Sequence, residues 1–371
     1  MRALILSCNT GGGHNAAGQA LLEKFQELGV DCEMRDALLF ASERASKLVC
    51  GAYVRTVTVA PKVFGLAYRA GGAISSARRK SPVYYGNIAY ARALREYIED
   101  TDVDAIVMPH LFPAECITYL RRHGGLRARA YAVSTDYVCC PFFEETEMDR
   151  FFIPHERLIP VFEARGIPRE RVLVTGIPTA GRYARHTAKA VAREMLGLKE
   201  EGRMLLVMTG SMGFGHVGAL VDALLERLYT TDRIVVLGGA NDRLKRALRD
   251  RYAIEGRVRV EDYTDHVDLY MDACDMLFTK PGGLTTTEAA VKGVPLAHTQ
   301  PIPGCETENM RFFGELGMSI SAKTPQALAE RAVALLDDAP ALAHMAQSQR
   351  ENIFPDAAER ICRAVMADTG A

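Results

Sequence analysis

Short apolar runs alternate with segments of helical period along most of this chain. Residues 3–8 read as a strand and Thr10 to His14 as a glycine-rich turn. Leu21, Leu22, Phe25 and Leu28 then recur at helical spacing until Gly29 stops the helix. The alternation resumes with strands at 105–108, 130–134, 151–153 and 172–175 and helices across 112–123 and 156–165. Apolar density falls between 176 and 200, where a linker is expected. A second series follows, with strands at 204–209, 234–238, 257–260 and 275–278 and helices at 217–229, 241–252, 265–273 and 285–292. Pro295 opens a further strand. Such alternation predicts an α/β fold of two Rossmann-like, doubly wound parallel sheets facing a cleft. The expected division is 1–178, 179–354 and a C-terminal helix, 355–371, that returns to the first domain. A length of 371 residues also exceeds one ordinary core.

Three glycine-rich strand-to-helix turns carry the candidate chemistry: Thr10-Gly-Gly-Gly-His14, Thr209-Gly-Ser-Met-Gly-Phe-Gly-His216 and Lys280-Pro-Gly-Gly-Leu-Thr285. None is a Walker A loop or GxGxxG, so neither ATP nor a dinucleotide is the expected ligand. Small residues at a helix start leave backbone N–H groups bare, and the helix dipole adds positive charge, which suits a phosphate. Two such turns in the second domain point to a diphosphate. Glu288, placed in the first turn of a helix beginning near Thr285, can accept hydrogen bonds from a sugar's vicinal hydroxyls. His14, on the turn at the mouth of the first sheet, can take a proton from a hydroxyl nucleophile. Asp136, ending the strand that includes Tyr131, can orient His14 or act as the base itself. Gly11, Gly12 and Gly13 form the loop on the acceptor side. His110, His123 and His155 receive no role. Without an Asp-x-Asp or histidine cluster, neither metal nor cofactor is expected, and helix ends alone are expected to stabilise a leaving diphosphate.

Charge changes the picture in one stretch. The net charge is only −1, yet no Asp or Glu occurs between Glu43 and Glu96, while ten Lys and Arg do. Tyr53, Phe64, Tyr68, Tyr84, Tyr85, Tyr90 and Tyr97 are in or beside this stretch. Basic residues gain about 1 kcal/mol each near an anionic lipid surface, and aromatic rings favour the interface. Arg78, Arg79, Lys80, Tyr84 and Tyr85 are therefore expected to dock on an anionic membrane. The admixture of Val57, Val59, Val63, Leu66 and Ile74 is too apolar for a surface that tracks nucleic acid. No window of about 18 apolar residues exists for a membrane span. The first residues run directly into the first strand rather than resembling a signal peptide. Nine cysteines show no CxxC or zinc spacing and fit a reducing cytoplasm.

At this point the chain resembles a known group, the lipid-directed glycosyltransferases of the two-Rossmann-domain (GT-B) type. It is most similar to processive diacylglycerol glucosyltransferases and monogalactosyldiacylglycerol synthases, over almost its whole length. The residues that carry the likeness are Asn9-Thr-Gly-Gly-Gly-His14, Ser134-Thr-Asp136, Thr175-Gly-Ile-Pro178, Gly210-Ser-Met-Gly213, Lys280 to Glu288 and Pro303-Gly-Cys-Glu-Thr-Glu-Asn309. The resemblance implies a UDP-sugar donor in the second domain. Glu288 would bind the ribose and Gly283, Leu284, Thr285 and Thr286 the diphosphate, beside Gly282, Gly210, Ser211, Met212 and Gly213. Tyr263 and Thr264 would hold the uracil. Gly304 to Asn309, with Cys305, Glu306 and Asn309, would contact the transferred hexose. The reaction would invert the anomeric centre, with His14 or Asp136 as base.

Two departures stand out. Relatives commonly carry Gln where Cys305 stands, and a thiol cannot make the same paired hydrogen bonds to sugar hydroxyls. Plant relatives carry Asp where Asn9 stands, so an acidic base there is excluded. The leading expectation is a hexosyltransferase using UDP-sugar and diacylglycerol, cytoplasmic and bound peripherally to the inner face of the cell membrane. A UDP-sugar epimerase of the same fold and a non-catalytic UDP-sugar sensor remain open.

Overall fold

The computed structural model describes residues 1–9, 11–59, 63, 65–66, 68, 70–71, 76, 79–210 and 216–370. Of the residues singled out above, Thr10, Phe64, Ile74, Arg78, Ser211, Met212, Gly213, Phe214 and Gly215 lie outside the described set. The chain forms two compact units. The first comprises Met1–Gly181, Pro303–Cys305 and Phe354–Ala371, the second Arg182–Ile302 and Glu306–Ile353.

In the first unit β1 (Arg2–Ser7), β2 (Asp31–Asp36), β3 (Ala105–Met108), β4 (Arg129–Val133), β5 (Arg150–Ile153) and β6 (Val172–Val174) form one sheet. Its order is β2-β1-β3-β4-β5-β6, and every pairing is parallel. The inner strands are nearly continuous apolar runs because helices cover both faces of a parallel sheet. Ala3 to Leu6 and Ala105 to Met108 are all fully buried. β2 is absent from the sequence reading, and its composition explains the omission. Asp-Cys-Glu-Met-Arg-Asp lies at the sheet edge, and only Cys32 is buried.

Helix Ala357–Thr369 closes this unit. Its Ile361, Cys362 and Val365 join Leu21 and Phe25 of helix Gly12–Glu27 in one core, and Arg150 pairs with Asp368 at 3.1 Å. Phe354 and Ala357 crowd Gly176, whose φ of +92° and lack of a Cβ allow the close approach.

The second unit repeats the design with β7 (Met204–Met208), β8 (Arg233–Leu237), β9 (Val258–Glu261), β10 (Met276–Thr279), β11 (Leu296–His298) and β12 (Ile320–Ser321). The order is β12-β11-β10-β7-β8-β9, again wholly parallel. β12, a two-residue edge strand, is too short to leave a periodic signal. The order in which strands are added reverses between β1 and β3 in the first sheet and between β7 and β10 in the second. Such switch points leave a crevice at the strands' C-terminal ends. Among the described residues no helix is long and apolar enough to cross a membrane.

Candidate functional site

In the first unit the glycine-rich turn sits at the switch point. The structure corrects its boundary: His14 is not on the turn but in the first turn of helix Gly12–Glu27, following Gly11 and with no side-chain cap. Glycines at the cap and first two positions let the helix begin immediately after β1, which places His14 beside the residues that follow β3. His14 Nδ1 lies 2.8 Å from the Pro109 carbonyl and 3.0 Å from Thr135 Oγ1. A carbonyl only accepts, so Nδ1 carries the proton and the neutral ring's lone pair is on Nε2. Burial holds the His14 pKa below the usual imidazole value, partly opposed by the Pro109 carbonyl.

His110, given no role from sequence, meets His14 edge-on with ring centroids 4.5 Å apart. Its Nδ1 accepts the Phe112 amide at 3.1 Å, so it too is neutral. Burial, then the neighbouring His14, push its pKa well down. Asn9 is fixed by Asp36 at 2.8 Å and by Asn15. Asp136 follows β4 on the same side of the sheet. The orienting contacts on His14 Nδ1 come from Pro109 and Thr135, which sequence reasoning missed because nothing in spacing marks a backbone carbonyl 95 residues away.

The basic stretch is partly turned inward. Tyr84 is only 3% exposed, whereas Tyr85 is 63% exposed. Lys80 donates to the Glu145 carbonyl and lies over the Tyr84 ring at 5.2 Å. Of the expected docking residues, Tyr84 and Lys80 are thus committed internally, drawn in by a buried carbonyl and an aromatic face. Arg79 and Tyr85 remain exposed.

In the second unit the Lys280 turn follows β10 and the Gly210 turn follows the adjacent β7. Their proximity is direct. Gly210 has φ +68°, and a Cβ there would come within 2.9 Å of Lys280 Cε. Helix Gly283–Val291 starts after Gly282 with no side-chain cap bond. Its first intrahelical bond is Thr286 N to the Gly282 carbonyl at 3.1 Å, so the earlier amides are unused by the helix. Because the helix begins at Gly283 rather than Thr285, Glu288 is in its second turn, a correction to the sequence reading. Glu288 is buried, and burial raises its pKa to about 7, opposed by Arg182 and by a hydrogen bond from Tyr183. Arg182 and Tyr183 were missed as neighbours of Glu288, since a tertiary approach across 105 positions leaves no periodic mark.

Lys280 Nζ pairs with Glu306, whose other oxygen accepts the Ile302 amide at 2.9 Å. Asn309 Nδ2 donates to the Pro281 carbonyl at 3.0 Å. Glu306 and Asn309 therefore brace the turn at the helix start. His298 lies behind it, 3.3 Å from Thr286 Oγ1 and 3.1 Å from Ser319, with its pKa pushed down to about 3 by burial. Tyr263 and Thr264 follow β9, and Tyr263 is 68% exposed. Leu284 and Thr286 are buried, while Thr285 is half-exposed at the helix start.

This arrangement gives the first unit an oriented neutral imidazole and the second a bare helix terminus backed by a buried carboxyl. Residues 14–179 match the family model described as monogalactosyldiacylglycerol (MGDG) synthase. A processive diacylglycerol beta-glucosyltransferase of Bacillus mycoides (strain KBAB4) is 25% identical over 373 residues, covering 100% of this chain and 94% of the relative. CalG4, the calicheamicin glycosyltransferase, superposes with a TM-score of 0.66 at 15% identity, covering 100% of this chain and 98% of that one. UDP-GlcNAc 2-epimerase from Neisseria meningitidis gives 0.63 at 13% identity, covering 99% of this chain and 100% of that one. The fold is thus shared by transferases and epimerases alike, while the full-length sequence likeness lies with the transferases. The chain has the GT-B fold, is similar along its whole length to a processive diacylglycerol beta-glucosyltransferase, and matches the MGDG synthase model over residues 14–179.

Proposed function

We propose that this protein is an inverting glycosyltransferase that moves a hexose from a UDP-sugar to the free hydroxyl of diacylglycerol at a membrane surface. The observation that carries the reading is the uncapped helix at Gly283, set at the β7/β10 switch point with buried Glu288 behind it. The whole-length likeness to a diacylglycerol glucosyltransferase supports the acceptor class.

In this reading the unused amides from Gly283 to Thr285 receive the diphosphate and Glu288 accepts hydrogen bonds from the ribose. Tyr263 and Thr264 flank the uracil. The acceptor oxygen forms its bond to the anomeric carbon as the bond to the diphosphate oxygen breaks, with inversion. The acceptor proton passes to His14 Nε2, the nitrogen left with a lone pair by the Pro109 contact. Asp136 is the second candidate for that proton. The helix terminus stabilises the departing diphosphate without requiring an ion. Arg79 and Tyr85 supply the exposed contact with an anionic lipid surface, where the protein is peripherally held on the cytoplasmic side.

The test is to incubate purified protein with dioleoylglycerol in anionic vesicles and a panel of UDP-sugars. Glycolipid and UDP are expected products. An epimerized UDP-sugar with no glycolipid would select the epimerase that shares this fold, and donor binding without turnover would select a sensor. Absence of UDP binding by calorimetry would remove the donor assignment altogether.

A further inference from the structure

The loop leaving β4 carries Asp136, Cys139 and Cys140 and bends at Phe142, whose φ is +74°. Cys305 ends the Pro303–Cys305 segment of the same unit. Its Sγ lies 3.0 Å from Cys140 Sγ and 3.3 Å from the Tyr68 hydroxyl. One ligand atom each from Asp136, Cys140 and Cys305 fall within 4.8 Å of one another, and all three residues are partly buried. We propose that these three side chains bind a thiophilic divalent cation of the zinc type, leaving a fourth position for water.

The donor set selects the metal class. Two thiolates favour zinc over magnesium or calcium, and a carboxylate is a third acceptable ligand. Zinc–sulfur bonds of about 2.3 Å in tetrahedral geometry separate two sulfurs by roughly 3.8 Å, so a small outward movement of the two thiols would admit the ion. On binding, both thiols would release their protons to solvent, and two thiolates and one carboxylate around a divalent ion would leave the site with one net negative charge.

The ion would fasten the 303–305 segment to the loop after β4. Cys139 is a built-in control, because its thiol is buried and turned toward the Cys140 carbonyl at 4.0 Å, away from the cluster's ligand set. A disulfide between Cys140 and Cys305 is the rival occupant of the same space. A cation on Asp136 would leave the acceptor proton of the proposed transfer to His14, and that reaction has its own separate test in UDP binding and glycolipid formation.

The experiment uses the reduced, untagged full-length protein. Dialysis against zinc should leave one ion per chain, and cobalt should produce an intense near-ultraviolet thiolate-to-metal band. Cys140→Ser and Cys305→Ser should each weaken zinc by at least ~10-fold and diminish the band, whereas Cys139→Ser should leave both unchanged. The wild-type cobalt spectrum keeps the test decisive if a variant does not fold. Absence of that band, equal loss in Cys139→Ser, or unchanged binding in both ligand variants would overturn the site. So would a loss of two hydrogens on mild oxidation by a small-molecule disulfide together with no metal uptake by the reduced chain, which would assign the pair to redox chemistry.

Discussion

Helix Gly12–Glu27 in the first unit and helix Gly283–Val291 in the second begin in the same way. Each follows a strand at the switch point of a six-stranded parallel sheet, each has glycine at the cap and at the first helical position, and neither cap makes a side-chain bond. They differ at the third helical residue, His14 in one and Thr285 in the other. In the first unit a tertiary contact from Pro109 and Thr135 converts the position into a directed imidazole. In the second no ionisable group occupies it, and the main-chain amides are what the helix start presents. In the proposed reading, one local architecture would serve proton transfer or anion binding according to a single side chain and what holds it.

The contrast breaks most visibly at His14. His14→Ala should lower kcat by at least ~100-fold while leaving the Kd for UDP unchanged; a near-normal rate would remove it as base and leave Asp136. Glu288→Ala should do the reverse, raising the Kd for UDP-glucose by ~10-fold or more, since a hydrogen bond to a charged group contributes about 1.5–3 kcal/mol. If both variants shifted the same kinetic parameter, the division of labour between the units would fail.

Buried carboxyls sharpen the comparison. Glu115 in the first unit is raised to about 8 by burial, opposed by the Asn87 side chain at 2.6 Å. Its folded form binds the proton more tightly than the unfolded chain, so stability falls as pH rises from about 4.5 toward 8. Glu115→Gln should therefore raise the melting temperature by at least about 2 °C at pH 8 and have little effect at pH 4.5. Glu288 in the second unit is raised to about 7. If its carboxylate receives the ribose hydroxyls, UDP-glucose affinity should rise a few-fold between pH 6 and 8 and level off above that. Calorimetry on Glu288→Gln should show no such slope. The smallest effect concerns Arg79. Arg79→Ala should weaken binding to anionic vesicles by ~5-fold, from a loss of about 1 kcal/mol, and less at high salt.

Much of the fold was legible in the chain. The apolar runs at β1, β3, β7 and β10 are buried central strands, and the glycine-rich exits of β1, β7 and β10 mark both switch points. β2 and β12 were not legible, because an edge strand is half-solvated and needs no continuous apolar run. The candidate site divides along the same line. His14, Gly283 and Glu288 belong to strand–turn–helix patterns only a few residues long, so local sequence identifies them.

Sequence alone determined the alternation of strands and helices, the bare helix starts and the concentration of positive charge between Glu43 and Glu96. Only the tertiary structure decided that Pro109 and Thr135 hold His14, that Arg182 and Tyr183 reach Glu288, that Tyr84 and Lys80 turn inward, and that Cys140 meets Cys305 across 165 positions. The reason is physical. Backbone sterics and hydrophobic period act over neighbouring residues and can be read from them, whereas strand order brings distant loops together, and no local interaction encodes which loops those will be.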